Sequence, residues 1–332
     1  MNRGIKILLI SHYDFAGSGH RMAEAVNLYT TNQVLPIIFL DISYPKAMPR
    51  MPALIANYSG QNVVSAPSLD RLQALIDDAD IIHFKGDDLP SRNPLGDLKI
   101  PEDKPIALTV NGSFFRRGGA KSVSMGEVPL EDYVVSADYR SAGDPSLLYE
   151  AYGGHWTPMP IDLSKFPQHD HKWTETFKVA HSPSDLGKKG TSKIKRAILA
   201  LRKKGCDVEL DVIKDVSYME AVERKRQASL FFDQTEAGFY GNAGLEAMAF
   251  GIPTMTYLTH RVHTHAPDTV CMDSGTTVKE ITENLSLAYS KYQDKKAWSA
   301  LSEKTHRYIE KVHGYEAVAV KWEIIYKSLL SL

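Results

Sequence analysis

Asp233–Pro253 reads DQTEAGFYGNAGLEAMAFGIP, and this stretch decides the fold. Leu230-Phe-Phe232 precedes it, a short apolar run that reads as a buried strand ending at Asp233. Gly238, Gly241 and Gly244 then punctuate the chain, and Ala243–Phe250 reads as a helix carrying Glu246. Gly251-Ile-Pro253 opens the next strand, Pro253–Tyr257. Strand, glycine turn, helix and strand in this order form the unit of a parallel sheet. Glycines let backbone N–H groups come close to a ligand, and a helix start adds partial positive charge suited to phosphate. Glu246 lies in the first turns, where its carboxylate can accept hydrogen bonds from two ribose hydroxyls. The competing reading is an ordinary turn with a solvated glutamate, and the residues alone weigh the two equally.

The same alternation runs outward from this stretch. In the second half, Phe177–Ala180 and Val208–Ile213 read as strands, and Ser192–Lys204 and Tyr218–Arg226 as helices. In the first half, Lys6–Ser11, Leu35–Leu40, Ile81–Phe84 and Ile106–Val110 read as strands, with a weaker one at Val134–Ser136. His20–Tyr29 and Leu69–Ala79 read as helices between them. Continuous apolar runs between helices predict parallel sheets covered on both faces, which take ligands beyond the carboxyl ends of their strands. Trp156-Thr-Pro-Met-Pro-Ile-Asp162, with Pro158 and Pro160, reads as a hinge. Two amphipathic helices, about Val278–Val312 and Tyr315–Leu330, end the chain.

Length and composition fit this plan. A chain of 332 residues suggests two domains. The formal charge is −1, from 39 basic and 40 acidic residues, which excludes a strongly basic nucleic-acid-coating protein and an acidic disordered one. Cys206 and Cys271 fit no zinc or redox spacing and read as reduced thiols in a cytosolic protein. The Ile7–Ile10 run is too short for a signal segment, and no stretch is long and apolar enough to span a membrane. A cytoplasmic location is expected, with peripheral membrane contact left open. His260, His263 and His265 cluster without metal-site spacing, so no metal is expected.

Gly17-Ser-Gly19 begins a G-x-G-x-x-G before the first helix, and Asp41 lies about 20 residues on, as in dinucleotide folds. Met22 stands where the third glycine would be, which weakens that reading.

LEAMAFGIP, preceded by GFYGN, resembles the donor-binding signature of GT-B glycosyltransferases, in particular the retaining GT4-like group. Glu246 matches the glutamate that binds the nucleotide ribose in that family. The family's earlier glutamate, which contacts the donor sugar, falls at Gly238 here. Asp233 and Glu236 are nearby carboxylates, neither at the matching position. Val179–Thr191, VAHSPSDLGKKGT, resembles a second family segment, in which Lys189 matches the lysine that neutralises the donor diphosphate. The family's arginine is replaced by Ser184, with Lys188, Lys193 or backbone amides to compensate. Gly17–His20 resembles the family's glycine-rich loop in the first domain. Ile82–Asp88 resembles a His-x-His-like loop, and Asn111–Gly119 is a polar, basic loop after the next strand.

The resemblance implies two Rossmann-like domains facing across a cleft, the GT-B arrangement. Residues 1–160 would bind the acceptor, with the C-terminal helix of about 315–332 packing back on them, and residues 161–314 would bind the donor. The implied reaction moves a hexosyl or pentosyl group from a nucleotide-diphosphate sugar, UDP- or GDP-linked, to an acceptor hydroxyl. It would retain anomeric configuration and need neither metal nor cofactor. Lys189, Glu246 and His83 are the catalytic candidates. Gly17, Ser18, Gly19, Ser184, Lys188, Lys189, Gly238, Phe239, Tyr240, Gly241, Asn242 and Glu246 would line the donor site. His20, Asn111, Arg116 and Arg117 would face an acceptor that is a glycan, a glycolipid or a modified nucleobase. The alternatives are a transferase acting on a modified DNA base, an inactive sugar-nucleotide-binding protein, and an NAD-dependent enzyme.

Overall fold

Five buried residues in succession, Ile7–Ser11, cover strand β1 (Lys6–Ser11) on both faces, as a parallel sheet between helices requires. The computed structural model describes residues 3–11, 14, 17–38, 69–85, 99–110, 137–148, 154–168 and 173–331. The chain divides into two compact units, Met1–Pro160 with Tyr315–Leu332, and Ile161–Gly314.

In the first unit β1 is followed by α1 (Ser18–Tyr29), β2 (Gln33–Ile38), α2 (Leu69–Asp78), β3 (Ile81–Lys85), β4 (Ile106–Val110), β5 (Tyr139–Ala142) and β6 (His155–Trp156). The strands pair in parallel in the order β2-β1-β3-β4-β5-β6. Alternate residues of β1 face opposite ways. Ile7 and Leu9 pack with Met22 and Val26 of α1 and with Trp322 and Tyr326 of the C-terminal helix. Leu8 and Ile10 pack with Leu72 and Ile76 of α2. Each such buried side chain contributes about 1.5–3 kcal/mol of transfer free energy. The order reverses between β1 and β3, the kind of switch point beside which parallel sheets take ligands.

The second unit runs β7 (Phe177–His181), α3 (Thr191–Lys203), β8 (Val208–Val212), α4 (Tyr218–Arg226), β9 (Leu230–Phe232), α5 (Asn242–Ala249), β10 (Thr254–Thr256), α6 (His260–His265), β11 (Met272–Asp273), α7 (Val278–Gln293) and α8 (Lys295–His313). Its order is β11-β10-β9-β7-β8, all parallel, with the reversal between β7 and β9. Ile194, Ile198 and Leu201 of α3 pack with Phe177, Val179 and Leu230 of the sheet. Helix α9 (Tyr315–Leu329) closes the chain and belongs to the first unit.

The two Rossmann-like α/β domains expected from the sequence are present. Three local expectations change. The long helix expected over 278–312 is two helices, because Asp294 leaves the helical conformation and its side chain accepts from the Ala297 N–H at 3.0 Å, capping α8. Strand β5 is Tyr-Arg-Ser-Ala, too polar to stand out as an apolar run, whereas Val134–Ser136 lies outside the described residues. The strand expected at Leu35–Leu40 begins two residues earlier, at Gln33, where Gln33 N–H bonds the Ile5 carbonyl at 2.8 Å.

Candidate functional site

The reversal in the second sheet sets the two loops that leave β7 and β9 side by side. His181, the last residue of β7, pins them. Its Nδ1 lies 2.8 Å from the Phe232 carbonyl and its Nε2 2.9 Å from Thr191 Oγ1. Burial pulls its pKa down to about 4, so it is neutral at pH 7. The first loop ends at Gly190, with φ 71°, and a Cβ there would stand 1.8 Å from Thr235 Oγ1. Only glycine fits that left-handed, crowded position.

Lys189 stands just before it. Its Nζ donates to Asp233 Oδ1 at 3.1 Å, across 44 positions of sequence. Asp233 is fully buried, and its Oδ2 accepts from the Gly241 N–H at 2.5 Å. Gly241 precedes α5 and, having no side chain, leaves that helix without a side-chain cap. A Cβ on Gly241 would lie 3.4 Å from Lys189 Nζ, so bare backbone faces the ammonium. An ammonium and the first amides of a helix therefore meet at the switch point, a combination that attracts anions. Asp233 already takes part of that charge.

Of the other expected carboxylates, Glu236 accepts from Lys193 Nζ at 2.7 Å and from Thr235 Oγ1 at 2.9 Å. Gly238 has φ 84°, a conformation in which a glutamate would be strained, so the position where the family carries its earlier glutamate is a backbone turn here. Glu246 is fully buried. Lys225 Nζ, itself buried, contacts its Oε2, and Tyr218 Oη donates to Oε1 at 3.2 Å. It is not the solvated glutamate of the competing reading.

Phe239 and Tyr240 do not present their side chains to a ligand. Their rings are buried at a centroid separation of 3.8 Å, and Tyr240 Oη bonds Tyr308 Oη at 2.9 Å and His313 Nε2 at 2.6 Å. Their side chains anchor the glycine loop from beneath. Asn242 opens α5 and is half-buried. Ser184 and Lys188 are exposed on the first loop, where Asp185 accepts the amides of Gly187 and Lys188 at 2.9 Å each. Those amides hold the Asp185 carboxyl below the usual range.

The glycine turn of the first unit carries a buried carboxylate among its described residues. Asp14 is buried, and its carboxylate accepts from Gly19 N–H at 2.6 Å and His20 N–H at 2.8 Å. Lys85, at the end of β3, is also buried and donates to Ser18 Oγ at 2.6 Å. Gly17 takes φ 66° as the residue before α1. The anion seat of α1 is filled by a protein carboxylate. Gly17, Ser18 and Gly19, expected in the donor lining and in the dinucleotide reading, have their polar groups bonded to Asp14 and Lys85 here. His20 is half-buried in the first turn.

His83, a catalytic candidate, is placed inside the core of the first unit. It is wholly buried, its Nδ1 lies 2.9 Å from Tyr326 Oη and its Nε2 2.8 Å from Thr109 Oγ1, and its ring packs 4.6 Å from that of Trp322. Burial pulls its pKa down to about 3. It ties β3 to β4 and α9. Asn111, Arg116, Arg117 and Asp41 lie outside the described residues. Among the described residues no group of three or more His, Cys, Asp or Glu side chains is placed to hold a metal, and no helix is long and apolar enough to cross a membrane.

Sequence reading missed Asp14, Lys225 and Tyr218. Asp14 carried a signal, an acidic residue just upstream of a glycine turn. Lys225 carried none, because Glu-Arg-Lys-Arg looks like a solvated run.

No family model and no curated protein matches the chain. Solved structures match it along its whole length. An alpha-glucosyltransferase in complex with UDP and a 13-mer DNA containing a HMU base superposes with a TM-score of 0.63 at 12% identity, covering 98% of this chain and 100% of the other. Anabaena HepE in complex with UDP and glucose gives a TM-score of 0.59 at 12% identity, covering 99% and 100%. The S. aureus MnaA–UDP co-structure gives 0.58 at 13% identity, covering 99% and 97%. These likenesses, with the two parallel sheets, place the chain in the GT-B fold class.

Proposed function

We propose that the chain is a glycosyltransferase that moves a sugar from a nucleoside-diphosphate sugar, UDP-linked, to an acceptor hydroxyl. One observation carries the reading: Lys189, Asp233 and the Gly241 amide meet at the start of α5, at the switch point of the second sheet. Breaking the bond between the sugar and the diphosphate develops negative charge on the leaving oxygens. Lys189 and the first amides of α5 are fixed in place to stabilise that charge without reorganising. A diphosphate carries more charge than one carboxylate, so it competes with Asp233 for the ammonium. Glu246, farther along α5, holds the pentose and orients the donor. Three of the structures that share the fold were solved with UDP. The GT4-like motifs support retention of configuration and a reaction without metal. His20 and the Asn111–Arg117 loop are assigned to the acceptor side.

A second reading concerns the acceptor. Several of the similar structures hold DNA with an abasic site or a HMU base. A hydroxymethylated base in DNA is therefore the first acceptor to offer.

The test is thermal stabilisation by UDP- and GDP-sugars, followed by assays of hydrolysis and of transfer to a HMU oligonucleotide. Stabilisation with turnover is expected. Binding without any turnover favours an inactive sugar-nucleotide-binding protein, and no binding overturns the proposal. Lys189→Ala should weaken UDP by about 10- to 100-fold, as loss of a charged hydrogen bond of about 1.5–3 kcal/mol predicts. Uridine binding should hardly change, and equal losses for both would remove Lys189 from the phosphate site.

A further inference from the structure

Helix α4 buries one side chain, and it is a lysine. Lys225 is the sole buried residue of Tyr218–Arg226, in a helix otherwise rich in exposed charge. Its ammonium meets Glu246 Oε2, and neither side chain is more than 2% exposed. The other oxygen of Glu246 accepts from Tyr218 Oη at 3.2 Å, long for a hydroxyl hydrogen bond. Tyr218 is half-buried and opens the helix, directly after its cap Ser217. Asp215, in the loop that leads to it, adopts φ 56°, unusual for a residue with a side chain. One oxygen of the carboxylate is thus tied to a buried lysine, while the other is tied to a group at an element's end. A lysine buried for stability alone is a poor choice, since an apolar pair of similar volume commonly does as well.

We propose that Lys225 is a positioning residue that fixes the Glu246 carboxylate through Oε2. Tyr218 Oη in turn keeps the place on Oε1 that a pentose hydroxyl takes when a nucleotide binds. Glu246 lies four residues into the helix whose start carries the anion seat, roughly 6 Å along the axis. A nucleotide with its phosphates at the helix start has its pentose beside Oε1. Its hydroxyl displaces that of Tyr218, while the lysine stays. This inference rests on the nucleotide-sugar reading.

Calorimetric affinities for UDP and for 2′,3′-dideoxy-UDP, which lacks both pentose hydroxyls, test it. The wild-type chain should prefer UDP at least tenfold. Tyr218→Phe removes the competing hydroxyl and keeps the ring. It should tighten UDP about three- to tenfold and leave the dideoxy compound unchanged. Unchanged or weaker UDP binding overturns the role of Tyr218. Lys225→Met should bring the ratio of the two affinities close to one while the dideoxy affinity stays. A preserved ratio overturns the positioning role. If Lys225→Met does not fold, Lys225→Gln is read for the same loss of ratio. If the wild type binds neither UDP nor GDP, the nucleotide-sugar reading fails and this inference with it. UDP binding with no preference over the dideoxy compound sinks the inference alone.

Discussion

Two glycine turns, one in each unit, are built from the same parts and end differently. Before α1, Asp14 spreads both carboxylate oxygens over the amides of Gly19 and His20, and Lys85 is buried against Ser18. Before α5, Asp233 accepts from the Gly241 amide and from Lys189, and Lys189 keeps 18% of its side chain exposed. Among the described residues of the first turn, the carboxylate, the first amides and the lysine are paired with one another's neighbours inside the fold. The second leaves a cation beside a helix start within reach of solvent. A glycine pattern therefore does not identify a phosphate site. What decides is where the nearest carboxylate lands and how much of the lysine remains accessible.

Acid should affect both units, and it offers the largest contrast. His83 in the first unit and His181 in the second are buried neutral, with pKa values pulled down to about 3 and about 4. A lowered folded-state value on a base means that the unfolded chain takes up protons first. The stability is fully present above about pH 6.5 and is lost as pH falls through the window, at about 1.4 kcal/mol per pH unit for each histidine. The loss from His181 ends near its pKa of about 4, and that from His83 continues toward about 3. Denaturant unfolding at pH 7, 5 and 4, read on each unit, checks this. A flat profile for His83→Gln and wild type alike would dismiss the buried-neutral assignment.

Glu246→Ala comes next. It strands the buried ammonium of Lys225 and should remove about 3–5 kcal/mol of stability, confined to the second unit. Glu246→Leu combined with Lys225→Met should recover most of it. Failure of the double variant to recover would mean that the pair is held by more than its two charges.

The smallest effect sharpens the comparison most. Asp14→Ala should cost about 0.5–2 kcal/mol through loss of the α1 cap and leave UDP affinity unchanged. If UDP binding falls tenfold in this variant while the fold persists, the first turn is a nucleotide site and the contrast between the two turns breaks.

The architecture was legible in the sequence because burial on both faces leaves continuous apolar runs, such as Ile7–Ile10 and Leu230–Phe232, with glycines at the turns between. Lys189 and Glu246 were singled out through motif resemblance. The helix break at Asp294 was readable in principle as a capping aspartate. The surroundings of each side chain were not. His83 and Lys225 look like a loop histidine and a surface lysine when read along the chain.

Local composition and periodicity sufficed for the alternation of strands and helices, the two parallel sheets and the glycine turns, since these depend on neighbours a few positions apart. Partners such as Asp14 with His20, Lys189 with Asp233 and Lys225 with Glu246 emerged from packing. Burial gives a charged group no water to pair with, so the nearest opposite charge in space defines its role. That distance across the fold is not encoded in any short run of residues.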